Sequence, residues 1–113
     1  MKIIAESLTG EGLEQLGTYE TQFPEGSTGE LRVYTTADYP VTNEELTQME
    51  NQIRSQGAIL TEPITYDNGM ISIKFKKAIA PLIIIVGAVI AALGIGGFIS
   101  WQLITSKLGI IPG

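Results

Sequence analysis

Residues 78–106 read AIAPLIIIVGAVIAALGIGGFISWQLITS, a run of twenty-nine without one Asp, Glu, Lys or Arg. As a single helix rising about 1.5 Å per residue it would reach about 43 Å, more than the roughly 30 Å hydrocarbon core of a bilayer. A core helix in a small domain is shorter and keeps a polar face, whereas this run is uncharged all round. The run therefore predicts one transmembrane helix over 78–106, followed by a short tail at 107–113.

The flanks fit that reading. Lys74, Lys76 and Lys77 lie just before the run and Lys107 just after it, a bias that would place the N-terminal part on the cytoplasmic side. Trp101 stands where an indole would mark the far membrane interface. Within the run Ala88, Ala92, Gly96 and Ser100 recur every four residues, and Ala80, Gly87 and Gly94 every seven. In lipid, such ridges of small residues let neighbouring helices pack closely. The alternative is that Gly and Ala are simply common in membrane spans. Pro81 suits a first helical turn, where its missing donor costs little.

Residues 31–77 carry the pattern of a small β-α-β-β domain. Leu31, Val33 and Thr35 alternate with Arg32, Tyr34 and Thr36 as in a half-buried strand, and Asp38 and Pro40 signal a turn. Thr42 with Glu45 has the spacing of a capping box, Val41 and Leu46 that of a hydrophobic staple, and Leu46, Met49 and Ile53 an apolar stripe. Gly57 suits the left-handed end of this helix. Asn68-Gly69 then predicts a type I′ hairpin with Tyr66 opposite Ile71 and Ile64 opposite Ile73, and with Phe75 on the same face. The fold class expected is thus α+β, a β-α-β-β domain followed by a C-terminal transmembrane helix. Residues 1–30 form a loop-rich segment that packs on this domain or on a partner, with a strand over Lys2–Leu8 and a helical turn at Leu13 and Leu16.

Twelve acidic side chains against seven basic ones leave a net charge of -5, which argues against nucleic acid as a partner. The chain has neither Cys nor His, so thiolate nucleophiles, imidazole bases and nearly every zinc, haem or iron-sulfur site are excluded. Gly10-Glu11-Gly12 starts like a dinucleotide loop but has Gln at position 15, and reads better as a turn. Glu44 and Glu45 lie in a first helical turn, where negative charge suits the dipole, rather than forming an acid-base pair. Glu11, Glu14, Glu20 and Glu25 do not have EF-hand spacing. No enzyme activity, catalytic residue, cofactor or metal is expected.

An acidic domain, juxtamembrane Lys74, Lys76 and Lys77, a Gly/Ala-rich run from Ala80 to Trp101 and a short tail resemble, in layout, the small integral membrane proteins of lipid-containing tailless phages. That resemblance implies a protein that ties a membrane to a capsid without catalysis. The expected function is a non-enzymatic, single-pass membrane protein linking a bilayer to a larger assembly. Its partners would be lipid, neighbouring helices and a protein shell or complex touching the acidic domain. An accessory subunit of a cellular membrane complex, or a small holin-like pore-former, are the alternatives.

Overall fold

A computed structural model describes residues 2–9, 12–36, 41–93 and 98–107. Among them six strands and two α-helices follow one another. β1 (Lys2–Ser7) leads through a 3₁₀ helix (Leu13–Gln22) to β2 (Thr28–Tyr34) and α1 (Asn43–Ser55). β3 (Ile59–Leu60), β4 (Thr65–Asp67) and β5 (Met70–Lys76) come next, then α2 (Ile83–Leu93) and β6 (Ser100–Lys107). The strands form one antiparallel sheet in the order β1-β6-β2-β5-β3, with β4 also paired to β5. With α1 linking β2 to β3 and α2 linking β5 to β6, the order β6-β2-β5-β3 is the ferredoxin-like plan of interlocked split β-α-β units. β1 is added outside β6.

Local chemistry accounts for the elements between β2 and β5. The Glu45 N–H donates to Thr42 Oγ1 at 3.2 Å and the Thr42 N–H to Glu45 Oε1 at 3.3 Å, which completes the capping box at the start of α1. Gly57 follows α1 at φ +91°, and Asn68 (φ +50°) and Gly69 (φ +78°) make the tight turn that sets Tyr66 opposite Ile71. The turn expected at Asp38 and Pro40 lies outside the described residues.

The register sorts the apolar side chains onto one face. Leu31 stands between Ile73 and Leu103, and Val33 between Ile71 and Trp101. Against this face pack Leu46, Met49 and Ile53 of α1 together with Ile85, Val86, Ala88 and Val89 of α2, all in one buried cluster. Each such side chain contributes about 1.5–3 kcal/mol on leaving water.

The uncharged run is the principal correction. It is not one helix: α2 covers eleven residues, about 16 Å of rise, and β6 takes the last seven of the run into the sheet. Among the described residues no helix is long and apolar enough to cross a membrane. The expected C-terminal transmembrane helix is therefore absent, and with it the integral, single-pass placement and its cytoplasmic orientation. The physical reason is that β6 is an interior strand. It has β1 on one side and β2 on the other, with Trp101 and Leu103 buried on the helix side and Ile104 buried on the other. An interior strand preceded by a covering helix needs a long apolar run just as a membrane span does.

Gly29 shows how tightly the layers meet. A Cβ there would lie 2.6 Å from Phe23 Cε1, 2.9 Å from Phe75 Cζ and 2.9 Å from the Ile104 carbonyl oxygen. The two rings meet over this position with centroids 5.5 Å apart and their planes tilted by 47°. Gly29→Ala is therefore expected to destabilise the fold by about 1–3 kcal/mol, read as a lower urea midpoint at unchanged m-value. Unaltered stability would show that β2 can shift away from β6.

Candidate functional site

Alternate residues of β2 point away from the helices and build a polar network on the open sheet face. Arg32 Nη2 lies 3.2 Å from Glu30 Oε1, and the Ser72 hydroxyl donates to the other Glu30 oxygen. Beside them Tyr34 Oη donates to Gln102 Oε1 at 3.1 Å, and Gln102 Nε2 donates to Glu6 Oε2 at 3.0 Å. Lys74 Nζ reaches Glu62 Oε2 at 3.4 Å. A cleft of about 400 Å³ lies here, lined by Thr28, Glu30, Arg32, Thr61, Glu62 and Lys74. Its two cations each have a carboxylate of the chain itself as partner, so a charged ligand would have to displace an existing pair.

Burial acts to raise the pKa of the Glu30 carboxyl. The Ser72 hydrogen bond, the Arg32 guanidinium and the Lys74 charge outweigh burial and hold it below its ordinary value. At neutral pH Glu30 is thus a fixed anion, unsuited to delivering or collecting a proton. A lowered folded-state pKa stabilises the chain above the ordinary carboxylate range, and that stability is lost as pH falls through the folded value. Unfolding midpoints measured across pH should therefore drop below about pH 4. Glu30→Gln should flatten that acid limb while costing about 1–3 kcal/mol at pH 7. A parallel acid limb in the variant would place the titrating group elsewhere.

The sheet edges are blunted. β1 carries a bulge between Ile3 and Ala5, and the opposite edge is interrupted between β3 and β4, where Pro63 lacks a donor. Among the exposed large apolar side chains, Leu8 and Ile99 lie at one end of the sheet, and Ile59, Ile79 and Ile83 at the other, where Lys107, Thr28, Lys76 and Ile59 stand in one row across four strands. The chain from β5 to α2 turns here around Lys77. Its ammonium lies 3.1 Å from Glu20 Oε2 and donates to the carbonyls of Ala78 (2.8 Å) and Ala80 (3.2 Å), while Glu20 also accepts the Leu82 N–H. Hydrogen bonds from Gly26 N to Lys77 O (2.8 Å) and from Lys77 N to Ser27 O (2.7 Å) tie in the preceding loop. At the tip of this braced turn Ile79 is 89% exposed, and Ile59 and Ile83 are exposed at the same end. A cleft of about 420 Å³ beside them is lined by Glu25, Gly26, Ile59, Lys76, Lys77 and Ala78.

The residues singled out in the sequence go to different places. Ala88 is fully buried on the inner face of α2, Ala92 packs partly against the core, Gly87 is exposed, and Ser100 opens β6 opposite Tyr34. Gly94 and Gly96 lie outside the described residues. Of the set expected at a membrane interface, Trp101 is buried in the core, Lys74 and Lys77 are paired with Glu62 and Glu20, Lys76 is exposed, and Lys107 ends β6. The structure thus gathers Lys74, Lys76, Lys77 and Lys107 toward one end and leaves Trp101 away from it. Sequence reading missed Glu20 as the brace of the β5–α2 turn, since its partners lie some sixty residues away. It also missed Ile59 and Ile79, whose exposure follows from the placement of β3 and of that turn. Among the described residues no group of three or more carboxylates is placed to hold a metal ion. Compared with known proteins, the chain matches no family model, no curated sequence and no solved structure.

Proposed function

We propose that this chain is a non-enzymatic subunit of a larger protein assembly, docked through the end that carries Ile59, Ile79 and Ile83. The observation that supports this most is Ile79, 89% exposed on a turn whose backbone is fixed from within by Lys77 and Glu20. A loose loop could fold an isoleucine back onto the core, but this turn holds it out. Burying one such side chain against a partner is worth about 1.5–3 kcal/mol, and a braced turn loses little entropy when it docks. Lys76, exposed beside the apolar residues, suits a partner surface that is apolar with an acidic rim.

The non-enzymatic part of the reading is supported by the absence of His and Cys and by an open sheet face whose carboxylate is kept ionised. The role in an assembly is retained from the sequence, without the bilayer that the uncharged run had suggested.

Isolation of the untagged protein from its source under mild conditions should give a mass well above that of one chain, with components in fixed stoichiometry. Ile79→Glu should return it to a single chain while leaving its thermal midpoint within about 2 °C, as for other exposed substitutions. A single chain in the native extract would overturn the reading.

A further inference from the structure

β1 is held more lightly than the strand it covers. Of its described side chains Ile3 and Glu6 are exposed, Ile4, Ala5 and Ser7 are partly buried, and none is fully buried. Its neighbour β6 is the reverse, with Trp101, Leu103, Ile104 and Thr105 all buried. What joins the two is a main-chain ladder, interrupted by the bulge between Ile3 and Ala5, and the exposed bond from Gln102 to Glu6. A segment with so few buried apolar contacts is the kind that opens first. It is also a costly one to close, because Glu6 and Gln102 lie 96 residues apart in the chain.

The edge under β1 cannot stay bare. Residues 98–106 contain no charge and no proline, so β6 without β1 is an apolar edge whose N–H and C=O groups would pair with another strand. The slot is specific. Ile3 stands beside Ile104, Ala5 beside Leu103 and Glu6 beside Gln102, so a segment with the sequence of β1 fits it residue by residue. Plain edge-to-edge addition is disfavoured, since the bulge blunts the outer side of β1 and Pro63 the opposite edge of the sheet.

We propose that β1 is exchanged between two copies of this chain, each Lys2–Ser7 strand pairing with β6 of the other in the register it holds in the closed chain. Every contact of the closed form is rebuilt across the pair, which makes exchange a low-cost route to a dimer. The chain has to change course only between Ser7 and Leu13, where the sequence Leu8-Thr9-Gly10-Glu11-Gly12 supplies two glycines and Leu8 and Thr9 are exposed. So short a tether presents a chain's own β1 at an effective concentration on the order of 1 mM, so the dilute chain is closed and single, and exchange competes when copies fold together near that density. The end that carries Ile79 takes no part, so this proposal is independent of the assembly reading above.

The chain has no cysteine, so introduced thiols report on strand pairing alone. Glu6→Cys and Gln102→Cys place them at directly paired positions outside the core. A chain carrying both, oxidised at about 1 µM, should form an intrachain disulfide, because at that dilution the strand is its own. The two single variants, unfolded together in urea, refolded at about 1 mM and oxidised, should be joined between position 6 of one chain and position 102 of the other, as read by mass spectrometry of the linked peptides. Ile79→Glu added to both should leave the yield of that link unchanged.

Absence of the link between positions 6 and 102 at the higher concentration overturns the proposal. A link from position 6 to position 6 in its place overturns it as well, since it sets two β1 edges side by side with each strand still on its own β6. So does a doubly substituted chain that leaves both thiols free, because β1 would then not lie on β6. Loss of the link with Ile79→Glu would trace the association to the Ile79 end instead and overturn exchange while leaving the assembly role in place.

Discussion

Everything in this fold depends on β2 having a partner on each side. Its backbone groups are bonded to β5 on one flank and to β6 on the other, and Leu31 and Val33 are buried only because Ile73, Ile71, Leu103 and Trp101 stand beside them. Without β6, β2 would become an unpaired edge, and β1, which pairs with β6, would have no place in the sheet. α2 is bound by the same constraint, since it must leave β5, cross the face that the sheet presents and return the chain to β2. The uncharged stretch from 78 to 106 thus does two jobs, covering the sheet and completing it.

That division explains what could be read from the sequence and what could not. From Leu31 to Phe75 the signals are local: the Thr42 and Glu45 pair, the stripe of Leu46, Met49 and Ile53, and the Asn68-Gly69 turn each specify geometry within a few residues. The C-terminal run is different, because its apolar character fits a membrane span and an interior strand with its covering helix equally well. Two features distinguished them. Gly94, Gly96 and Gly97 form a breaker cluster in the middle, and Trp101, Gln102, Leu103, Ile104 and Thr105 approach the two-residue alternation of a strand. Total hydropathy obscured both. The candidate site was less legible still, because the Glu20–Lys77 brace joins residues far apart in the chain and the row of lysines exists only once strands from three regions lie side by side.

The two faces and two ends of the sheet divide the labour. One face is buried under the helices, while the other is closed by pairs such as Glu30 with Arg32 and Lys74 with Glu62. A bulge and a proline guard the edges. At the two ends of the sheet, by contrast, isoleucines and a leucine stand exposed: Ile59, Ile79 and Ile83 at one, Leu8 and Ile99 at the other.

The β2–β6 pairing also governs the order of events during folding. The Thr105 hydroxyl bonds the Thr28 carbonyl across 77 residues, and Tyr34 bonds Gln102 across 68, so closing this ladder costs more chain entropy than any local turn. The capped helix and the Asn68-Gly69 hairpin can form within microseconds, and β6 must then find a slot that only the rest of the sheet defines. Until it does, an uncharged stretch of twenty-nine residues is exposed to water, to other chains and to any bilayer nearby. The same residues that complete the native sheet are the ones most easily diverted, so the speed of this last docking step governs how much chain reaches the folded state.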